Sequence, residues 1–297
     1  MRNRFAIALT VAAAAAAFWI LPSFGQGPLQ GPDAGQNPGQ EQGKGKGKGG
    51  RGGGKAKGPS RPTPHMPDGH VMLGPLPGEK GLWNGSAGTS LSNSRRQVDN
   101  PGLNLPTNLQ SSDVPFLPWA KSVYDHRTET LTADDPHVRC KPSGGPRLYT
   151  TPYGLEFVEV PEMQRIFVMG TGGPHTWRVI FLDGRPHPAD PDPTFYGHSV
   201  GHWEGGDALV VDSVGFNERF WLSREGPPHT EQLHLTERFT RTDYNTLKYE
   251  ATIDDPGAYS KPWTGGWNIP WNPNGEMYEY VCQDNNRDPR HMFGGEQ

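Results

Sequence analysis

Apolar runs are scarce in this chain. Beyond "FAIALTVAAAAAAFWIL" near the N-terminus, no segment is long or apolar enough to span a bilayer as a helix. That run follows Arg2 and Arg4 and precedes Ser23-Phe24-Gly25, small residues where a signal peptidase would cut, so residues 1–25 read as an export signal. No cysteine follows the cut, so no lipid anchor is implied there; an uncleaved anchor is the alternative, and after cleavage the protein is expected to be non-transmembrane. Cysteine is scarce as well. Cys140 and Cys282 are the only pair, and in an oxidising compartment they read as a disulfide, with free thiols or metal ligands as the alternative. The disulfide would close a loop of about 140 residues and stabilise the fold by up to about 5 kcal/mol.

Residues 26–78 are poor in apolar side chains and dominated by Gly, Pro and Gln. They cannot bury enough surface to offset the entropy of ordering, so they read as a disordered linker. Lys44, Lys46, Lys48, Arg51, Lys55 and Lys57 make it basic, and envelope association through that charge is one expectation. No aromatic residues interleave those charges to stack bases, which with export argues against nucleic acid. Removing the linker from a chain of net charge -4 leaves residues 79–297 strongly acidic, as suits a soluble exported domain.

What is abundant in 79–297 is alternation. "LEFVEV" and "QRIFVMG" flank Pro161-Glu162-Met163 as a hairpin; "TWRVIFLDG" follows; "SVGHWE" and "DALVVDSV" flank Gly205-Gly206. With "LHLTERFTR", "TLKYEATID" and "MYEYVC" they make about eight strands. Little sequence is left for crossover helices, so the fold class is mainly β: a single antiparallel barrel or sandwich rather than α/β. One helix is expected early, over 117–130, with Trp119, Val123 and Tyr124 as its apolar stripe. Residues 183–197, 214–231 and 254–275 read as long loops, which tend to be functional.

Gly197-His198-Ser199-Val200-Gly201 matches the Gly-x-Ser-x-Gly nucleophile motif. That motif needs a strand-to-helix turn above a parallel sheet. Here "DPDPTFY" precedes it and a hairpin pattern follows, so Ser199 reads as the start of a strand, although Ser199, Asp212 and His229 supply the types of a triad. Histidines and carboxylates concentrate in two groups: His198, His202 and Glu204, and His229, Glu231, His234 and Glu237. On a strand, His198 and His202 are about 13 Å apart, too far for one ion, whereas His202 and Glu204 share a face at about 6.6 Å. His229 and Glu231 repeat that spacing. Should the two segments lie side by side, His202, Glu204, His229 and Glu231 would suit zinc or another divalent metal. His229 with Glu204, Glu231 or Glu237 is the minimal acid–base unit. Glu237 shares a strand face with Leu233, Leu235 and Phe239, so it is either paired, by Arg178 or Arg147, or lines a cavity with a raised pKa. Trp203, Trp263, Trp267 and Trp271 are core or a substrate-binding surface for sugar rings or flat organics. Asp254-Asp255-Pro256 reads as a turn or cap, with calcium as the alternative.

The stretches "YGHSVGHWEGGDALVVDSVGFNERFWL", "PPHTEQLHLTERFTRTD" and "LKYEATIDDPGAYSKPW" resemble a family of exported proteins of soil bacteria, acidobacteria above all. Its members carry GxSxGxWEGDTLVVD, HSEALxVxER and DDPxxYxxPW patterns. The resemblance spans roughly residues 113 to 288, including "VPFLPWAKSVYDHR", "CKPSGGPR" and "DGRPHP"; it implies export and carries no activity with it. The family's Trp-Glu-Gly-Asp is Trp203-Glu204-Gly205-Gly206-Asp207 here, one glycine longer. A similar phrase occurs in lipocalin-like barrels, which resembles this chain at the level of fold only. The expected function is an enzyme of the hydrolase, lyase or isomerase type acting on a small molecule. The alternatives are a lipocalin-like binding protein for an apolar or aromatic ligand, and a structural envelope protein.

Overall fold

In the computed structural model, the described residues are 61–84, 91–92, 109–130, 133–151, 153–172 and 177–284. The export signal and the basic charges of the linker lie outside them. Nine strands form a closed barrel: β1 (Leu82–Trp83), β2 (Leu155–Val160), β3 (Arg165–Gly170), β4 (Trp177–Phe181), β5 (His198–Glu204), β6 (Ala208–Val214), β7 (His234–Asp243), β8 (Thr246–Asp254) and β9 (Trp263–Asn272). Neighbours in sequence are neighbours in space. Every pair is antiparallel except β4 and β5, which run parallel with Ile180 opposite Ser199. The barrel is thus mostly antiparallel, as the alternation predicts, with one parallel seam. β5 begins level with the end of β4, and the intervening loop bulges out through Pro186, Pro188, Pro191 and Pro193 before the chain resumes its direction.

The alternating stretches became β2 to β8 because one face of each buries apolar side chains while the other meets solvent. The turn after β5 has φ of 59° at Gly205 and 77° at Gly206, a backbone that glycine adopts without strain. Two readings are corrected. Residues 263–272, within the 254–275 stretch whose Gly and Pro predict a loop, form β9. Trp263, Trp267 and Trp271 share its inner face, with Gly265 where the carbonyl of Leu91 comes close and leaves no room for a side chain. "MYEYVC" is not a strand; Tyr278, Tyr280 and Val281 are exposed. Its Cys282 is nonetheless bonded to Cys140, which leaves no free cysteine among the described residues.

The packed domain also starts earlier than residue 79. Val71 and Leu73 are buried, Val71 N–H donates to the Gly206 carbonyl, and the Trp83 indole donates to Leu73. The Arg241 guanidinium donates to the Met72 and Gly74 carbonyls and lies against the rings of Trp83, Tyr244 and Trp271. This cation–aromatic contact fastens residues 71–74 to the barrel. Helix α1 (Pro118–Glu129) starts at a proline, as expected, but buries Ala120 and Tyr124 and leaves Trp119 exposed. No helix among the described residues is long and apolar enough to cross a membrane.

The barrel interior is filled. The 3-10 turn Gly145–Thr150 is buried throughout and inserts Tyr149, whose ring lies 4.7 Å from Tyr249, 5.1 Å from Phe239 and 6.5 Å from Phe157. Each such ring contributes roughly 1.5–3 kcal/mol by burial. Among them sits one ion pair, Arg178 with Glu237 at 2.6 Å, both side chains almost wholly excluded from solvent. Arg178 also donates to Tyr149, Ser199 and Ser213, while Tyr249 donates to Glu237. Of the two arginines considered for Glu237, Arg178 is its partner; Arg147 pairs with Asp135. Burial works against the charge of Arg178, but the Glu237 carboxylate outweighs it and holds the guanidinium protonated.

Replacing Arg178 alone with Met should therefore cost about 3–5 kcal/mol, because Glu237 is left buried without its counter-charge. The double variant Arg178→Met/Glu237→Met should cost less than that single change. Urea unfolding of both variants measures the difference.

Candidate functional site

Strand pleating decides which polar residues point outward. Ser199, Ser213 and Leu235 face the interior, so His198, Asp212 and His234 face outward on three adjacent strands. Val200, Asp212 and Thr236 form one cross-strand row, and His198 lies opposite Val214 in the next. His198 and His234 thus stand diagonally on either side of Asp212, within reach of long side chains. The loop before β5 adds His187, held between Pro186 and Pro188; a residue preceding proline is confined to extended conformations, which fixes where its ring points. The far end of this loop is tied down through Thr194, which exchanges backbone hydrogen bonds with Gly215 and Asn217.

The four side chains form one hydrogen-bonded run. His198 Nδ1 lies 2.9 Å from His187 Nδ1; His187 Nε2 lies 2.7 Å from Asp212 Oδ1; Asp212 Oδ2 lies 2.6 Å from His234 Nε2. The side chains are 21% exposed at His187, 38% at Asp212 and 45% at His234, so solvent-borne molecules reach the run. Phe181 stacks on His198 at 5.2 Å and carries the Arg185 guanidinium 3.9 Å from its ring centre. Arg185 is itself paired with Asp183. Burial first, then the charges of His187 and Arg185, hold the His198 pKa below the ordinary imidazole value.

Hydrogen-bond bookkeeping fixes the tautomers of the neutral run. Asp212 accepts from Nε2–H of His187, which leaves His187 Nδ1 as a lone pair. His198 must then donate from Nδ1, and its Nε2 is left as an open base. The rings are strung in line rather than gathered around a point. Among the described residues, no group of three or more His, Cys, Asp or Glu is arranged to hold one metal ion.

The residues singled out in the sequence are not brought together. Glu204 lies exposed on the outer wall, bonded to Arg238 at 2.5 Å, with His202 at 3.4 Å. That proximity of His202 and Glu204 is the one the spacing implied. Glu237 is on the opposite side of the wall, with Arg178. Glu231 is exposed in a turn. His229 is buried beneath residues 216–222, its Nε2 3.1 Å from the Phe220 carbonyl and its ring 4.1 Å from that of Phe220. The acid–base set and the four-ligand metal set are both corrected: a strand-parity argument places residues on faces but does not place strands side by side. Trp263, Trp267 and Trp271 are core residues. Trp203 is half-buried, stacked 4.1 Å from His70, and His70 bridges Asp68 and Glu159. Asp255 accepts from Thr230 and from Gly257 N–H, the turn-holding role rather than a calcium site.

Ser199 is no exposed nucleophile. It lies inside the barrel, accepting from Arg178 at 2.8 Å and from Ser213 at 2.9 Å, with no imidazole partner. His187 is the member of the run that sequence spacing does not reveal. Its signal is the Pro-His-Pro within a long loop. A groove of about 480 Å³ opens elsewhere, between α1 and residues 218–221, and shares no lining residue with the run.

Comparison with known proteins returns no match: no protein-family model, no curated protein and no solved structure aligns with this chain. The histidine run therefore stands on its geometry.

His229 generates a stability prediction. Burial lowers its pKa to about 4, with the Arg127 charge adding a little and Asp255 and two carbonyls opposing. The unfolded ring titrates near 6.5, so between those values the unfolded chain holds more protons than the folded one. Stability is then full above the higher value and falls as pH drops through the window, by up to roughly 3 kcal/mol. His229→Gln keeps a donor for the Phe220 carbonyl and should flatten this acid limb, read from urea midpoints compared across the window.

Proposed function

We propose that the protein is an exported enzyme of the hydrolase, lyase or isomerase type that moves a proton on a small organic molecule at the outer wall of its barrel. The observation that carries this reading is the unbroken run His198–His187–Asp212–His234. The disulfide and the resemblance to exported soil-bacterial proteins support an oxidising compartment, periplasmic or extracellular.

His198 is the base. When its Nε2 takes a proton from substrate, its Nδ1 proton passes to His187 Nδ1. The positive charge then rests on His187, beside the Asp212 carboxylate, rather than on His198, whose surroundings disfavour it. Return of the proton along the same path makes His198 the acid of the second half-reaction. His234 donates to the other oxygen of Asp212 and keeps that carboxylate turned toward His187. These roles belong to a coupled set, so the pH profile reports the run rather than one ring.

The test starts with turnover of a chromogenic panel of esters, glycosides and elimination substrates by the full chain. Asp212→Asn reverses the hydrogen-bond demand on His187 and should lower kcat by about a hundredfold to ten-thousandfold with folding intact. His198→Gln should do the same. Turnover that survives both substitutions would refute the reading.

A further inference from the structure

The outer wall of the barrel has two unlike halves. On β7 and β8 its outward residues are polar, among them Thr236, Arg238, Lys248, Glu250 and Thr252. On β2 to β4 they are mostly apolar, with Glu156 and Arg165 the exceptions. Val158, Phe167 and Val179 stand in register across three strands, and Val160, Phe181 and Val200 occupy the next row with Arg165 among them. Beside them Met169 and Trp177 form an exposed cross-strand pair, 41% and 47% accessible. Apolar surface on a sheet face costs free energy in water unless something covers it.

Within this apolar wall lies one cation without a counter-ion. Arg178, Arg185, Arg147 and Arg238 each have a carboxylate partner. Among the described residues Arg165 has none, and its Nε is buried without a hydrogen-bond partner. Its guanidinium carbon lies 5.2 Å from the ring of Phe181, and the same ring lies 5.2 Å from His198. Phe181 therefore connects an unpaired cation to the terminal base of the run.

We infer that the substrates are small organic anions with a flat apolar body. The body lies on Phe167 and Val179 beside Phe181, the anionic group takes the open donors of Arg165, and the reacting carbon is presented to His198 Nε2. Three observations converge on this class: a largely apolar face on β2 to β4 beside the run, an aromatic ring stacked against the base, and a guanidinium with a donor to spare. A neutral ligand would leave Arg165 unpaired, and a cation would be repelled by it. The inference rests on the acid–base reading for the position of chemistry, but it is tested by binding alone.

The probes are phenylacetate, phenylacetamide and phenethylamine, titrated into the full chain by ligand-observed NMR. Phenylacetate should bind about tenfold more tightly than phenylacetamide, and phenethylamine least. Arg165→Gln should erase that order, Arg165→Lys should keep part of it, and Phe167→Ala should weaken phenylacetate and phenylacetamide together. Equal binding of the three probes, no binding, or an order unchanged in Arg165→Gln overturns the inference. So does retention on phosphatidylcholine vesicles without any preference among the probes, which would make the wall a lipid-docking face. An Asp212→Asn variant separates the two readings. Phenylacetate selectivity with turnover indifferent to Asp212 sinks the acid–base reading alone. Turnover dependent on Asp212 with no charge preference sinks this one alone.

Discussion

One guanidinium organises the barrel. Arg178 on β4 reaches Glu237 on β7, Ser199 on β5 and Ser213 on β6, and it touches Tyr149 from the buried 3-10 turn. A buried charge is costly unless every partner is in place, so the network tolerates a single arrangement of these strands. Apolar neighbours would accept a slipped register with modest loss. A slip of one residue on β5 or β6 would carry Ser199 or Ser213 to the outside and strand the Arg178 donors. The ion pair is therefore better understood as a specifier of register than as a source of net stability.

The same constraint sets the outer site. Along each strand, the residue beside an inward member of the network points outward. His198 precedes Ser199 and Asp212 precedes Ser213; His234 adjoins inward Leu235, two residues from the Glu237 side of the same strand. Fixing the inner network fixes the diagonal of His198, Asp212 and His234 on the far side of the wall. The loop supplies His187 independently, and there proline stiffness replaces strand pairing as the source of precision. Interior packing also shifts chemistry outward. With Tyr149, Phe157, Phe239 and Tyr249 filling the core, the reactive groups that solvent reaches are those on the wall and its loops.

Alternation made most of this architecture legible. β2 to β8 declare themselves because their apolar residues recur every second position, and the Gly205-Gly206 turn because two positive φ values favour glycine there. β9 was hidden because its inward positions alternate large and small, Trp263, Gly265 and Trp267, where the approaching Leu91 carbonyl replaces a side chain. "MYEYVC" misled because aromatic residues mark strands only when a neighbour is present to pair with them. For the site, spacing within one strand recovered the His202–Glu204 contact and the need of Glu237 for a partner. It missed the histidine run, whose members come from three strands and a loop. Their meeting depends on register, and register is a property of pairing that no single segment contains. Ser199 shows the converse: five matching letters, and a residue turned into the core.

The wall separates two electrostatic problems that the sequence interleaves. Arg178 and Glu237 interact where water is excluded, and their charges are locked together. A few ångströms outward, Asp212 and its histidines sit in partial contact with solvent, with no arginine or lysine paired to that carboxylate among the described residues. Had Glu237 and Asp212 shared a face, the arginine would have neutralised the carboxylate that the proposed relay needs. Alternation keeps the neutralised carboxylate inside and the responsive one outside, on neighbouring strands whose pairing is set by the first. A chain that encodes a register-fixing ion pair in its inward-facing residues thereby fixes the diagonal of His198, Asp212 and His234 in the outward-facing ones, without any further structural element except the Pro-His-Pro loop.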